Sequence, residues 1–223
     1  MGIVKEKLNI IDVGCGQSLD KIWIKNNKLV NFYIGFDADD NVKEAKKTFP
    51  NGVIYNNAVF DEEGIHNFYV CNRPQCSSLF PPNMEEVRKY VRKDKNNYEK
   101  YHRVDVKKIK KVKCIRLDTI LSNLEVNFDF IKIDSQGADY NILKSLGKYL
   151  ETQLVGVQTE VYFRSMYEGI HLYKDTKKLL ISKGFKLVKK LTVPSKWHGE
   201  YLYIREDISK KDKIKLIKRI YKI

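Results

Sequence analysis

Apolar and polar positions along the chain alternate between two periods. "LNIIDV" (8–13) is a nearly continuous apolar run, the pattern of a strand buried on both faces. Leu19, Ile22 and Trp23 then recur at helical spacing within 18–27. "NFYIGFD" (31–37) predicts a second strand, 40–49 a second helix and "GVIYNNAVF" (52–60) a third strand. "GIHNFYVC" (64–71) alternates strictly and reads as an antiparallel strand added at an edge. The rhythm resumes with a helix at 117–124, a strand at 128–134, a helix at 138–150 and a strand at 153–163. A helix over 171–184 stops on Gly184. Strands at 185–193 and 199–206, joined by "PSKWH", form a hairpin.

Alternating strands and helices predict an α/β fold: a mostly parallel open sheet, helices on both faces, closed by an antiparallel C-terminal hairpin. Residues 72–116 interrupt it. "NRPQCSSLFPPN" is loop, a charged helix follows around 84–95, and "VDVKKIKKVKCIRL" is an extended basic ribbon. The reading is one domain, 1–206, carrying this segment as a lid and basic insert, and a basic amphipathic tail, 207–223. No repeat or linker divides it.

Composition alters this picture at one point. The net charge is +14, which invites a nucleic-acid partner. Yet 86–116 holds thirteen basic against four acidic residues, and 205–223 eight against three. The excess sits in the insert and the tail, and the rest of the chain balances. Cys15, Cys71, Cys76 and Cys114 match no zinc spacing. No signal peptide and no membrane span is evident, so the expected location is cytoplasmic.

In an open α/β sheet the ligand lies across the carboxyl ends of the strands. The first strand ends in Asp12, then Gly14 and Gly16; the second in Asp37 and Ala38; the third near Asn57 and Ala58. The later parallel strands end at Asp134 and Glu160, and the hairpin loop brings His198 to the same rim. Asp37, about 20 residues past the glycines, suits the two hydroxyls of a ribose. Leu19 occupies the place of a dinucleotide fingerprint's third glycine. That argues for a nucleoside ligand without phosphates, S-adenosyl-L-methionine, with Asn57 and Ala58 beside the adenine. The terminal hairpin is the methyltransferase ending of such a sheet, and dehydrogenase sheets lack it.

"IDVGCG", "YIGFDAD", "NAVFDEEG", "SSLF" and above all "IRLDTIL…FDFIKIDSQGADYNILKSL" resemble the FkbM family of S-adenosylmethionine-dependent methyltransferases, over roughly 8–204. Asp139 stands where that family usually has glutamate. The resemblance implies a Rossmann-like class I fold and methyl transfer to a hydroxyl of a sugar or secondary metabolite. It also implies that the serine patch, Ser77 and Ser78, contacts cofactor or acceptor.

A hydroxyl acceptor needs its proton removed by a base within hydrogen-bond reach. Asp134 is the first candidate, as base or as positioning carboxylate; Glu160 is second and His198 third. Two carboxylates on adjacent strand ends could instead hold a divalent cation, the lesser expectation. Tyr162, Arg164 and Tyr167 are expected over the acceptor rim. The alternatives are an RNA methyltransferase using the basic insert, with Tyr90, Tyr98 and Tyr101 as stacking residues, and an inactive binding module. The tail either packs on its own domain or a twin subunit, or lies on an anionic membrane.

Overall fold

The computed structural model describes residues 6–16, 19–38, 42–91, 102–192 and 195–223. Seven strands form the main sheet: β1 (Leu8–Val13), β2 (Val30–Phe36), β3 (Val53–Tyr55), β7 (Phe130–Ile133), β8 (Gly156–Tyr162), β9 (Lys186–Lys190) and β10 (His198–Ile204). Their order is β3-β2-β1-β7-β8-β10-β9. All neighbours from β3 to β8 pair in parallel, and β10 runs antiparallel to both β8 and β9. This is the Rossmann-like α/β sheet with a closing hairpin that the periodicity predicts.

Three further strands make a second sheet, ordered β4-β6-β5: β4 (Ala58–Val59), β5 (Gly64–Cys71) and β6 (Val106–Ile115). The sequence offers 52–60 as one strand and 64–71 as an edge of the main sheet. Instead the chain leaves the main sheet after Tyr55, and β5 pairs with the basic ribbon along its whole length. The alternation in β5 is therefore that of a strand with one face over the domain and one in solvent, where Ile65 is 65% exposed.

The helices are α1 (Lys21–Lys25), α2 (Lys43–Thr48), α3 (Met84–Val91), α4 (Leu117–Leu121), α5 (Asp139–Ser145), α6 (Tyr149–Thr152), α7 (Tyr173–Ser182) and α8 (Lys211–Tyr221), with short 3-10 turns at Asn27–Leu29 and Pro74–Cys76. The expected helix at 138–150 divides in two around Gly147, whose φ of +52° is left-handed.

Two apolar cores lie on the two faces of the main sheet. One gathers Ile11, Phe36, Phe128, Ile133, Ile142, Leu180 and Tyr203. The other gathers Leu8, Ile10, Trp23, Tyr33, Phe130 and Leu202, and the tail completes it. Ile214, Leu216, Ile217, Ile220 and Tyr221 of α8 are all buried there. Trp23, Phe130 and Tyr221 form an aromatic cluster with ring centroids 5.1–6.0 Å apart. Lys210 Nζ anchors the helix start, donating to Asp129 Oδ1 at 2.9 Å and to the Gln153 carbonyl at 2.8 Å. The apolar side that the sequence could offer to a membrane is spent on the chain's own core, because Phe130 and Trp23 would otherwise face water. Among the described residues no helix is long and apolar enough to cross a membrane.

Ile217 is fully buried and touches the floor at Gly156. Ile217→Ala is expected to cost about 2–5 kcal/mol, read as a lower midpoint in urea with an unchanged m-value. A loss under about 0.5 kcal/mol would show that α8 is not part of the cooperative unit.

Candidate active site

The strand register assembles the site. Val13 pairs with both Phe36 and Ile133, so Gly14, Asp37 and Asp134 leave the sheet abreast. Ile133 pairs with Thr159, which sets Glu160 beside Asp134. Across β8 and β10, Glu160 faces Glu200 and Tyr162 faces His198.

Beneath this rim lies a buried ion pair. Asp12 and Lys132 are 0% and 3% exposed, with Lys132 Nζ 3.2 Å from Asp12 Oδ1. Tyr33 Oη donates to Asp12 Oδ2 at 3.0 Å, and Lys132 Nζ also donates to the Gly14 carbonyl at 3.1 Å. Burial raises the Asp12 carboxyl above its usual range, against the lowering effect of Lys132. Burial opposes charge on Lys132, yet Asp12 and Asp134 hold its pKa above the ordinary lysine value. Asp12, expected from sequence to touch the cofactor, thus has no surface to offer it. It fixes the glycine turn instead.

The glycines also have internal reasons. Gly14 has a φ of +81°, and a Cβ there would lie 2.0 Å from the Asp134 carbonyl oxygen. At Gly16 the backbone N–H donates to Asp37 Oδ2 at 2.7 Å, and a Cβ would fall 2.5 Å from that oxygen. Gln17, Ser18, Asp39, Asp40, Asn41, Val193 and Pro194 lie outside the described residues.

Over this rim opens a cleft. Its walls include Gly14, Asp37, Ala38, Asn57, Ala58 and Asp134, together with Phe68 of β5 and Pro74, Gln75 and Ser77 of the insert. The wall residues fit a nucleoside. Asp37 stands at the end of β2 with Ala38 beside it, apolar Phe36, Val59, Leu79 and Ile142 line the cleft, and Asn57 offers an amide. Ser78 is not in this wall. It is fully buried, donating to the Gln136 carbonyl at 2.6 Å and accepting from Phe80 N at 3.0 Å. Ser77 takes the place in the wall. From the basic ribbon, Lys110 Nζ reaches the Ala38 carbonyl at 2.9 Å and lies 5.3 Å from the Phe68 ring centroid.

A second cavity shares the Asp134 wall. Glu160, Thr192, Ser195, His198 and Glu200 complete its described lining. His198 Nδ1 lies 2.7 Å from Glu160 Oε1. This hydrogen bond raises the imidazole pKa above 6.5, although partial burial pulls it down. Burial raises the Glu200 carboxyl, and Gln158 Nε2 donates to it at 2.5 Å. All three candidate catalytic side chains therefore meet around one space. No cluster suited to a metal ion occurs among the described residues.

Two of the three aromatic and basic residues expected over the acceptor rim are turned elsewhere. Tyr162 and Tyr167 are 5% and 4% exposed, with rings edge-on at 6.0 Å. Their hydroxyls, not their faces, serve the site: Tyr162 Oη donates to Glu160 Oε2 at 2.6 Å. Arg164 is exposed and stacks over Trp197 at 6.0 Å.

Sequence reasoning passed over Gln136 and Glu200, and noted Asp139 only as a departure from the family's glutamate. Asp139 is buried, held by Ser135 Oγ at 3.0 Å and Gly137 N at 3.3 Å. Burial first, then Glu160 and Asp134, push its carboxyl well above the usual range. The conspicuous sequence signal was its place in "DSQGAD", two residues after a glycine whose φ is +102°.

A strand-end cleft beside a carboxylate-lined cavity, on a sheet closed by an antiparallel hairpin, defines a Rossmann-like methyltransferase. The methyltransferase FkbM domain model matches residues 5–187, so the chain belongs to the FkbM family of S-adenosylmethionine-dependent methyltransferases. Comparison with curated proteins gave no match. A crystal structure of methyltransferase FkbM from Methylobacillus flagellatus KT is similar at 12% identity and a TM-score of 0.54. That match covers 89% of this chain and 43% of that one, so this chain spans under half its length. Magnesium protoporphyrin IX methyltransferase from Synechocystis PCC 6803, solved with bound SAM, is similar at 11% identity and a TM-score of 0.45, covering 91% and 72%.

Two outcomes check the site. Lys132→Met leaves a buried carboxylate without its partner and is expected to cost about 3–5 kcal/mol in chemical denaturation. The Asp12→Asn/Lys132→Met double variant should lose less than Lys132→Met alone. Asp37→Ala should weaken S-adenosylhomocysteine binding at least about tenfold by calorimetry, roughly 1.4 kcal/mol. Unchanged affinity would remove Asp37 from the ligand contacts.

Proposed function

We propose that this chain is an O-methyltransferase acting on an uncharged hydroxyl-bearing small molecule, such as a sugar or a glycan precursor. S-adenosylmethionine, held by Asp37, Ala38, Asn57, Ala58 and the Gly14 turn, would supply an electrophilic methyl group next to Asp134. The acceptor would enter the cavity on the other side of Asp134. Its oxygen would bond the methyl carbon while its proton passes to His198, as the carbon–sulfur bond breaks and its electron pair stays on sulfur. Asp134 would hold the acceptor in line, where positioning itself contributes rate.

The observation that carries this reading is the His198–Glu160 pair, 2.7 Å apart on the wall of a cavity that shares Asp134 with the cleft. A carboxylate on one ring nitrogen orients the imidazole and leaves the other to accept a proton. The lining supports an uncharged acceptor over RNA. It includes three carboxylates and no lysine or arginine among the described residues, an environment that repels phosphate. Tyr98, Tyr101 and the side chain of Tyr90, on which the RNA reading leans, lie outside the described residues.

The test is methyl transfer to a panel of sugars, nucleotide sugars and RNA, read as S-adenosylhomocysteine released. His198→Ala should lower kcat by about 10²-fold or more and leave cofactor affinity within about twofold. A rate within about threefold of wild type would exclude His198 as the base. With His198 as base, kcat should rise with pH through its raised pKa and level off above it. Glu160→Gln, which removes the raising partner, should move that rise to lower pH.

A further inference from the structure

Gln136 stands where the two cavities meet, and its conformation is unusual. It has a φ of +54°, in the left-handed region that residues other than glycine rarely adopt. Such a backbone is strained and persists only where surrounding contacts enforce it. Those contacts are on both ends of the residue. Buried Ser78 donates to its carbonyl at 2.6 Å. Tyr167 Oη lies 3.1 Å from its side-chain Oε1 and also 3.1 Å from the Cys76 carbonyl, sharing one proton between them. The loops that carry Ser78 and Tyr167 are tied together in turn: Asn83 N donates to the Met166 carbonyl and Glu168 N to the Pro81 carbonyl, both at 2.9 Å.

Fixed in this way, the amide has one orientation. Its Oε1 faces Tyr167, so its Nε2 faces the rim, and donates to Asp134 Oδ1 at 2.9 Å and to Glu160 Oε2 at 3.2 Å. Carboxylate oxygens only accept, which excludes the flipped amide. One nitrogen with two hydrogens therefore joins the two strand-end carboxylates. Glu160 Oε2 also accepts from Tyr162, while its Oε1 is on His198. A continuous chain runs from the lid through Tyr167, Gln136 and Glu160 to His198.

We propose that Gln136 is a positioning residue: its amide bridges Asp134 and Glu160, and through Glu160 sets the orientation and proton affinity of His198. It acts through other side chains and touches no reacting atom in this role. The inference rests on the proposed base only for its kinetic consequence. The bridge itself is independent of acceptor and cofactor. The groups that face His198 are Glu160 and Tyr162 on β8, Asp134 at the end of β7, and Glu200 on its own strand. The partly positive N–H dipoles of Gln136 offset two of these carboxylates, Glu160 and Asp134. Glutamate at this position would replace them with a fourth carboxyl group, and methionine with nothing.

The test is the pH titration of the His198 ring by NMR in the ligand-free chain, its signals assigned with His198→Asn. Gln136→Glu and Gln136→Met are compared with wild type, with thermal melting confirming that each folds. Both variants should raise the His198 pKa, Gln136→Glu by at least about half a unit, a threefold change in proton affinity, and Gln136→Met by less. In methyl transfer, the rise of kcat with pH should move upward by the same amount, with S-adenosylhomocysteine affinity changed less than kcat. His198 titrating within about 0.2 units of wild type in both folded variants would overturn the bridge. A shifted titration with an unshifted rate profile would leave the bridge standing and remove His198 as the base instead.

Discussion

The arrangement depends first on one ion pair inside the sheet. Asp12 and Lys132 face each other at 3.2 Å between β1 and β7, where neither can reach water. Burying two charges is costly, and their attraction offsets the cost only with good geometry and further hydrogen bonds. Tyr33 and the Gly14 carbonyl supply those bonds. The consequence is a fixed glycine turn. Once Gly14 is held against the Asp134 backbone, the Gly16 N–H is presented to Asp37 and the floor of the cleft is set. Lysine two residues before Asp134 thus serves the turn from below while Asp134 serves the rim from above.

On that floor the electrostatics run one way. Asp134, Glu160 and Glu200 gather on adjacent strands, and like charges opposite one another destabilise a sheet. The structure offsets this locally with donors: Gln158 on Glu200, Tyr162 and His198 on Glu160, and Gln136 between Glu160 and Asp134. The Tyr221 hydroxyl at the end of α8 reaches Gln158, so the C-terminal helix supports the same network from behind. The insert contributes from the opposite side, through Ser77 in the cleft wall and Ser78 on the Gln136 carbonyl. Segments that look like accessories in sequence are therefore both needed to complete the site.

The strand ends were legible in the sequence. Continuous apolar runs that stop at an acid mark β1, β2 and β7, and parallel pairing leaves little freedom in where Asp37, Asp134 and Glu160 emerge. Roles were less legible. Asp12 and Ser78 read as ligand contacts because they adjoin residues that line the cleft, yet a strand's alternation turns Asp12 inward, and a loop bond turns Ser78 toward Gln136. Tyr162 and Tyr167 read as stacking faces, and packing shows only their hydroxyls to the site. Gln136 had no signal, since a glutamine in a loop has no periodicity and its left-handed backbone comes from contacts distant in sequence.

The sequence by itself determined the α/β class, the closing hairpin and the strand-end acids Asp37, Asp134 and Glu160, but not Glu200 beside them. Each of these follows from local periodicity, turn chemistry and chain direction. Tertiary structure alone decided that β4, β5 and β6 form a separate sheet over the cleft and that α8 covers the second core. It alone decided that one amide joins two carboxylates to a histidine. These outcomes depend on which surfaces meet, and apolar area or a hydrogen-bond donor can be matched by any partner of suitable shape. Only the assembled chain selects one.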